Sequence, residues 1–164
     1  VSAIVACFGN VLRGDDGFGS AVAERLLARE LPAGVDVLEV GIGGIHLVQE
    51  LMRGIAVLIV VDAVDLGRPP GTVVVQRPQV LDVATLPPER RRDELADMHL
   101  ATPEKTLMVA RALGVLPDVT FVVGVQTTDT DRVGQGLSPA TGRAVELAAA
   151  EVDRLLAEHV ATGG

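Results

Sequence analysis

Hydrophobic and polar positions alternate between two kinds of segment along this chain. Val35 to Val40, Thr72 to Gln76 and Val119 to Val125 are strand-like segments, and continuous apolar runs occur at Ser2 to Phe8 and Ile55 to Val61 (IAVLIVV). Runs of this length without polar alternation are the pattern of strands buried on both faces of a sheet. Between them the spacing turns helical. Gly17 to Leu31 carries Val22, Leu26 and Leu27 on one stripe and closes at Pro32. A short helix is expected from about Ile45 to Met52, after the glycine-rich turn Gly41-Ile42-Gly43-Gly44. Thr102-Pro103-Glu104 is an N-cap with proline at the first helical position and opens a helix to Ala112, ended by Gly114. Ser138-Pro139 opens the last helix, with Val145, Ala148, Val152, Leu155 and Leu156 as its stripe.

The order βαβαββαβα predicts a three-layer α/β/α domain with a mostly parallel sheet. The connection from Asp62 to Gly71 is too short and too rich in Gly and Pro to hold a crossover helix. A parallel partner needs a dozen or more residues of crossover. The strand at 72–76 is therefore expected to be antiparallel and at or near an edge. Residues 77–98, with Pro78, Pro87 and Pro88, read as a long irregular loop, and Arg90-Arg91-Arg92 as its solvated basic cluster. The 164 residues are read as one domain, 1–164, long enough for a real core.

Composition narrows the function. Apolar residues are 48% of the chain, which excludes disorder. Acidic residues outnumber basic ones, 22 to 14, and Trp and Tyr are absent; neither a phosphate backbone nor unstacked bases would find a partner here. No apolar run reaches the roughly 18 residues a membrane helix needs. The apolar N-terminus lacks a basic leader and is read as a strand rather than a signal peptide. Cys7, the sole cysteine, falls in the first strand and is expected to be a buried, inert thiol. A reducing, cytoplasmic setting fits it.

In open α/β sheets, sites form outside the carboxyl ends of the strands. Asp15 and Asp16 follow the first strand, the Gly41–Gly44 turn follows the second, and Asp62 ends the third. All three are expected at one edge of the sheet. His99 lies just ahead of a capped helix, whose positive end disfavours imidazolium and so favours the neutral, ligating form. Two carboxylates and an imidazole suit a borderline divalent metal such as nickel or zinc. Each feature also has a plainer use. Asp15 or Asp16 alone serves equally as a helix cap, Asp62 or Asp65 as a turn residue, and the glycines as turn formers. His46 and His159 lie on helices and are given no role.

Taken together the motifs resemble a family. Gly9-Asn10 with Asp15-Asp16-Gly17-Phe18-Gly19, then Gly43-Gly44, Val60-Val61-Asp62-Ala63-Val64 and Pro70-Gly71-Thr72-Val73 are similar to those of the nickel–iron hydrogenase maturation endopeptidases. So are His99 fifteen residues before Gly114, Val123-Gly124-Val125-Gln126 and Gly136-Leu137-Ser138-Pro139. The match runs from residue 3 to about residue 156. Asp16 stands where the family often has Glu, one methylene longer with the same ligand chemistry, and Thr127 where it commonly has Pro.

The resemblance implies a five-stranded, mostly parallel mixed sheet of order 2-1-3-5-4 with strand 4 antiparallel. It implies one endoproteolytic cut that removes the C-terminal extension of a hydrogenase large-subunit precursor after nickel insertion. Asp16, Asp62 and His99 would be the catalytic and nickel-binding residues, with the nickel supplied by the substrate and zinc or cadmium able to substitute. Gly41, Gly43 and Gly44 would line the groove for the peptide. A cytoplasmic monomer is expected. Two other readings share parts of the pattern. A receiver-type phospho-acceptor domain also gathers acids after strands one and three, but the fifth strand here ends in Val125-Gln126-Thr127 without a lysine. A metal-sensing chaperone that does not cut would use the same ligands.

Overall fold

The structure is a computed structural model describing residues 2–9, 17–41, 44–96, 102–127 and 137–160. Its strands are β1 (Ala3–Phe8), β2 (Val35–Gly41), β3 (Val57–Val64), β4 (Val73–Gln76) and β5 (Val119–Gln126). Its helices are α1 (Phe18–Leu27), α2 (Ile45–Leu51), α3 (Pro88–Ala96), α4 (Pro103–Ala112) and α5 (Pro139–His159), with a 3-10 turn at Val83–Thr85. The strands form one sheet in the order β2-β1-β3-β5-β4. All neighbours are parallel except β4, which runs antiparallel to β5 at the edge. This is the sheet that the family resemblance implies, and its antiparallel edge strand is the one that the short 62–71 connection implies.

Strand parity divides the core into two layers. Val5 and Cys7 of β1, Ile59 and Val61 of β3, and Val123 and Val125 of β5 pack under α1 and α5. Ile4, Ala6 and Phe8 of β1, with Leu58 and Val60 of β3, pack under α2 and α4. The central strands must be apolar on both sides because both sides are covered, which is why their sequences do not alternate. Burying Ile4 or Leu58 completely is worth roughly 1.5–3 kcal/mol each.

Caps set the helices where the sequence places them. Thr102 Oγ1 accepts from Lys105 N (3.4 Å) at the start of α4, and Ser138 Oγ accepts from Thr141 N (3.4 Å) at the start of α5. Gly19 allows α1 to lie directly on β1: a Cβ there would come within 1.9 Å of the Phe8 carbonyl oxygen. Gly71 has φ 83°, and its N–H donates to Gln126 O (2.9 Å) while Gln126 N–H donates to Thr72 O (2.9 Å). Gly71 and Thr72 thus oppose one residue, a bulge with glycine at its left-handed position.

Three expectations change. β3 continues past the apolar run through Asp62 to Val64, because Gly124, Val125 and Gln126 of β5 supply ladder partners. Asp62 is therefore within the strand, at the point where burial gives way to partial exposure. Residues 77–98 are not simply a loop, since they hold the 3-10 turn and α3. The arginine run lies on α3, and Arg91 is half-buried rather than fully solvated. Its guanidinium donates to the carbonyls of Val83 (3.1 Å), Ala84 (3.1 Å) and Leu86 (3.2 Å), folding α3 back on the turn.

Candidate active site

Asp62 sits on the α2/α4 side of the sheet, by the alternation that puts Leu58 and Val60 there. It is half-buried, and its Oδ1 accepts from the Ala63 N–H (2.8 Å). Its register partner on β5 is Gly124, where a Cβ would meet the Val64 side chain at 2.8 Å. Glycine at this position leaves room for the Val64 side chain beside the acid.

Asp62 opens onto a cleft of about 580 Å³. One wall is the chain leaving β3, including Val64 and Leu66; another is residues 78–81; the third is the start of α4, with Lys105 and Met108. The floor is apolar and the charges are mostly negative: Asp62, Asp65, Glu94 and Glu104 against Lys105. The cleft lies at the carboxyl end of β3, where the topology predicts a site, and extends over the sheet to Val122 of β5.

The wall after β3 is held by a residue that sequence reading had noted only within a motif. Gln126, 3% exposed, accepts from the Leu66 N–H (2.6 Å) and Arg68 N–H (3.3 Å) through Oε1. Its Nε2 donates to Asp65 Oδ1 and to Thr127 O, both at 3.0 Å. Asp65 also accepts from the Gly67 N–H (3.4 Å). These bonds, the amide of Gln126 first, hold the Asp65 carboxyl below the usual carboxylate range. Asp65 is therefore a turn former, as expected, whose charge is committed to the loop.

Asp15, Asp16, Gly43 and His99 lie outside the described residues. Gly41 ends β2 and Gly44 caps α2, so both stand at the carboxyl edge of the parallel strands, as does Asp62. They are on the far side of β1 from the cleft, whose described lining includes neither. Among the described residues no group of three His, Cys, Asp or Glu is close enough to hold a metal ion. Cys7 is buried, and desolvation, then the nearby Glu39 charge, pushes its thiol up to about 12. It is neutral at any physiological pH and is no nucleophile. His46 is exposed on α2, and His159 lies at the end of α5 with its ring 5.0 Å from Phe121. Among the described residues no helix is long and apolar enough to cross a membrane.

Sequence reading also missed the pairing of Glu94 with Lys105, whose ammonium donates to Glu94 Oε2 at 3.3 Å. A signal was present, since Lys105 is the chain's sole lysine.

Known proteins match both the sequence and the fold. The family model described as HycI, hydrogenase maturation protease, matches residues 20–154. The chain is 33% identical over 154 residues to the hydrogenase expression/formation protein HupD of Rhodobacter capsulatus, covering 93% of this chain and 70% of that protein. Among solved structures, the hydrogenase maturating endopeptidase HybD from E. coli superposes with a TM-score of 0.73 at 28% identity, over 96% of this chain and 93% of that one. The hydrogenase 2 maturation peptidase from Thaumarchaeota archaeon SCGC_AB-539-E09 does so with a TM-score of 0.67 at 30% identity, over 95% and 98%. The chain belongs to the hydrogenase maturation protease family and is an endopeptidase of hydrogenase maturation.

Proposed function

We propose that this protein removes the C-terminal extension of a nickel–iron hydrogenase large-subunit precursor after nickel has been inserted, with Asp16, Asp62 and His99 as ligands to that nickel. The observation that carries the reading is the position of Asp62. It is an acid in the middle of the ladder, half-buried, at the head of a cleft large enough for several residues of peptide. Two carboxylates and a neutral imidazole form a donor set that accepts nickel. The Ala63 N–H holds Oδ1 of Asp62 in place.

Nickel arriving with the precursor supplies Lewis-acid chemistry, polarising the scissile carbonyl or activating a water. The chain's own residues bind and orient. The cleft takes the peptide beside the metal and along its apolar floor, and Gln126 fixes the wall after β3. Hydrolysis then adds water across the scissile C–N bond, leaving a new carboxyl terminus on the subunit and a free amine on the released peptide. Gly41, Gly43 and Gly44 form the second border of this edge on the same reading. The protein works as a cytoplasmic monomer, and zinc or cadmium can occupy the site in nickel's place.

Asp62→Ala is expected to abolish cleavage of the nickel-loaded precursor while leaving circular dichroism and Tm near wild type. Loss of the C-terminal peptide, read by mass spectrometry, measures the cut. Nickel-free precursor is expected to remain whole. Equal cutting of loaded and nickel-free precursor would remove the role given to nickel.

A further inference from the structure

Glu94 and Lys105 face each other across the outer part of the cleft, one from the last turns of α3 and the other from the first turn of α4. Their side chains are 29% and 37% exposed. α3 buries none of its residues, so no apolar stripe seats it against the body of the protein. Among the described residues, Arg91 ties it to the adjacent 3-10 turn. That turn is itself anchored, because Val83 is buried and Arg111 of α4 bonds Val80 O and pairs with Asp82. The far end of α3 has the Glu94–Lys105 pair as its described charged link to α4.

We infer that Glu94 and Lys105 are positioning residues for the proteolytic reaction: their ion pair holds the Glu94 end of α3 at the rim of the cleft and so sets how tightly the precursor's C-terminal peptide is gripped. The inference rests on the reading that cleavage occurs in this cleft at Asp62. The kind of pair matters. A lysine ammonium makes a single-point contact without the fork geometry of arginine, so it holds the helix and releases it easily. Half-exposed pairs of this sort contribute little to folding, so the effect belongs to the geometry of the cleft and not to global stability.

The test uses the full chain and the nickel-loaded precursor that the wild-type protein cleaves. Glu94→Gln and Lys105→Gln should each raise KM about fivefold, the most that a half-exposed pair biases an open–closed balance. kcat should stay within about twofold and Tm should be unchanged. Exchanging the charges, Glu94→Lys with Lys105→Glu, should return KM to wild type, which a lost residue-specific contact would not do. A second readout needs no substrate. Met108 lines the same cleft and is buried, so its 13C-methyl resonance, assigned with Met108→Leu, should shift in both single variants and return in the exchanged one. Wild-type KM in both single variants overturns the inference, whatever the Met108 signal does. Should Asp62→Ala still cleave, the cleft assignment itself fails; should it be inactive while Glu94→Gln and Lys105→Gln keep wild-type KM, the positioning role alone fails.

Discussion

Gln126 shows how one side chain fixes a wall of the cleft. It is buried at the end of β5, and its amide satisfies backbone donors of Leu66 and Arg68 while donating to Asp65 and Thr127. An amide is suited to this because it presents acceptor and donors together. Gln126→Leu is expected to lower stability by about 1–3 kcal/mol in urea unfolding, the usual cost of leaving buried polar groups without partners. Gln126→Glu makes a sharper test. Its carboxylate would face that of Asp65, so the variant should be weaker than wild type near neutral pH, and the deficit should shrink as acid protonates the new pair. The wild type moves the other way. The Asp65 carboxyl is held below its ordinary range, so its contribution is present above that range and is lost as pH falls toward the folded value. Asp62 was legible in the sequence because an acid interrupts so apolar a run. Gln126 was not, since its partners lie some sixty residues away and only the register of β3 on β5 brings them together.

At the scale of elements, reading succeeded where a helix or strand pays its way in buried apolar surface. β1, β3, α4 and α5 carry stripes or runs that periodicity detects, and their boundaries fall within a few residues of the expected ones. α3 has no stripe, so 77–98 looked irregular. Its sequence PERRRDELA nevertheless carries proline and glutamate in the first turn, followed by residues of high helix propensity. Those local signals were sufficient to find it. What they do not reveal is Arg91, whose three carbonyl contacts require the 3-10 turn to exist first. Arg91→Ala should free α3 from that turn without disturbing the core. Limited trypsin digestion should then cut after Arg90 and Arg92 several times faster than in wild type, with Tm changed by no more than a few degrees. Equal digestion rates would show that something else holds α3 down.

For the whole molecule, the reversal of β4 followed from a simple length argument, because nine or ten residues cannot carry a parallel crossover, while the strand order came from the family resemblance. The same topology grades stability across the protein. β1 is buried along its entire length between two parallel partners, and β3 lies between β1 and β5. β4 is a short, half-exposed edge and α3 buries nothing. Local opening free energies follow this kind of difference. Hydrogen exchange followed by mass spectrometry should therefore find the amides of β1 and β3 slowest, opening only with global unfolding. The amides of α3 should exchange orders of magnitude sooner, under conditions where the sheet is fully protected. Addition of moderate denaturant should accelerate exchange in β1 and β3 steeply, since their opening exposes the core, and barely affect α3, since its opening exposes almost no new surface. Protection of α3 equal to that of β3 would place it inside the cooperative core and contradict its exposed seat. The proposed site joins both extremes: Asp62 stands on one of the most protected strands, and Glu94, at the rim of its cleft, is carried by the least anchored helix.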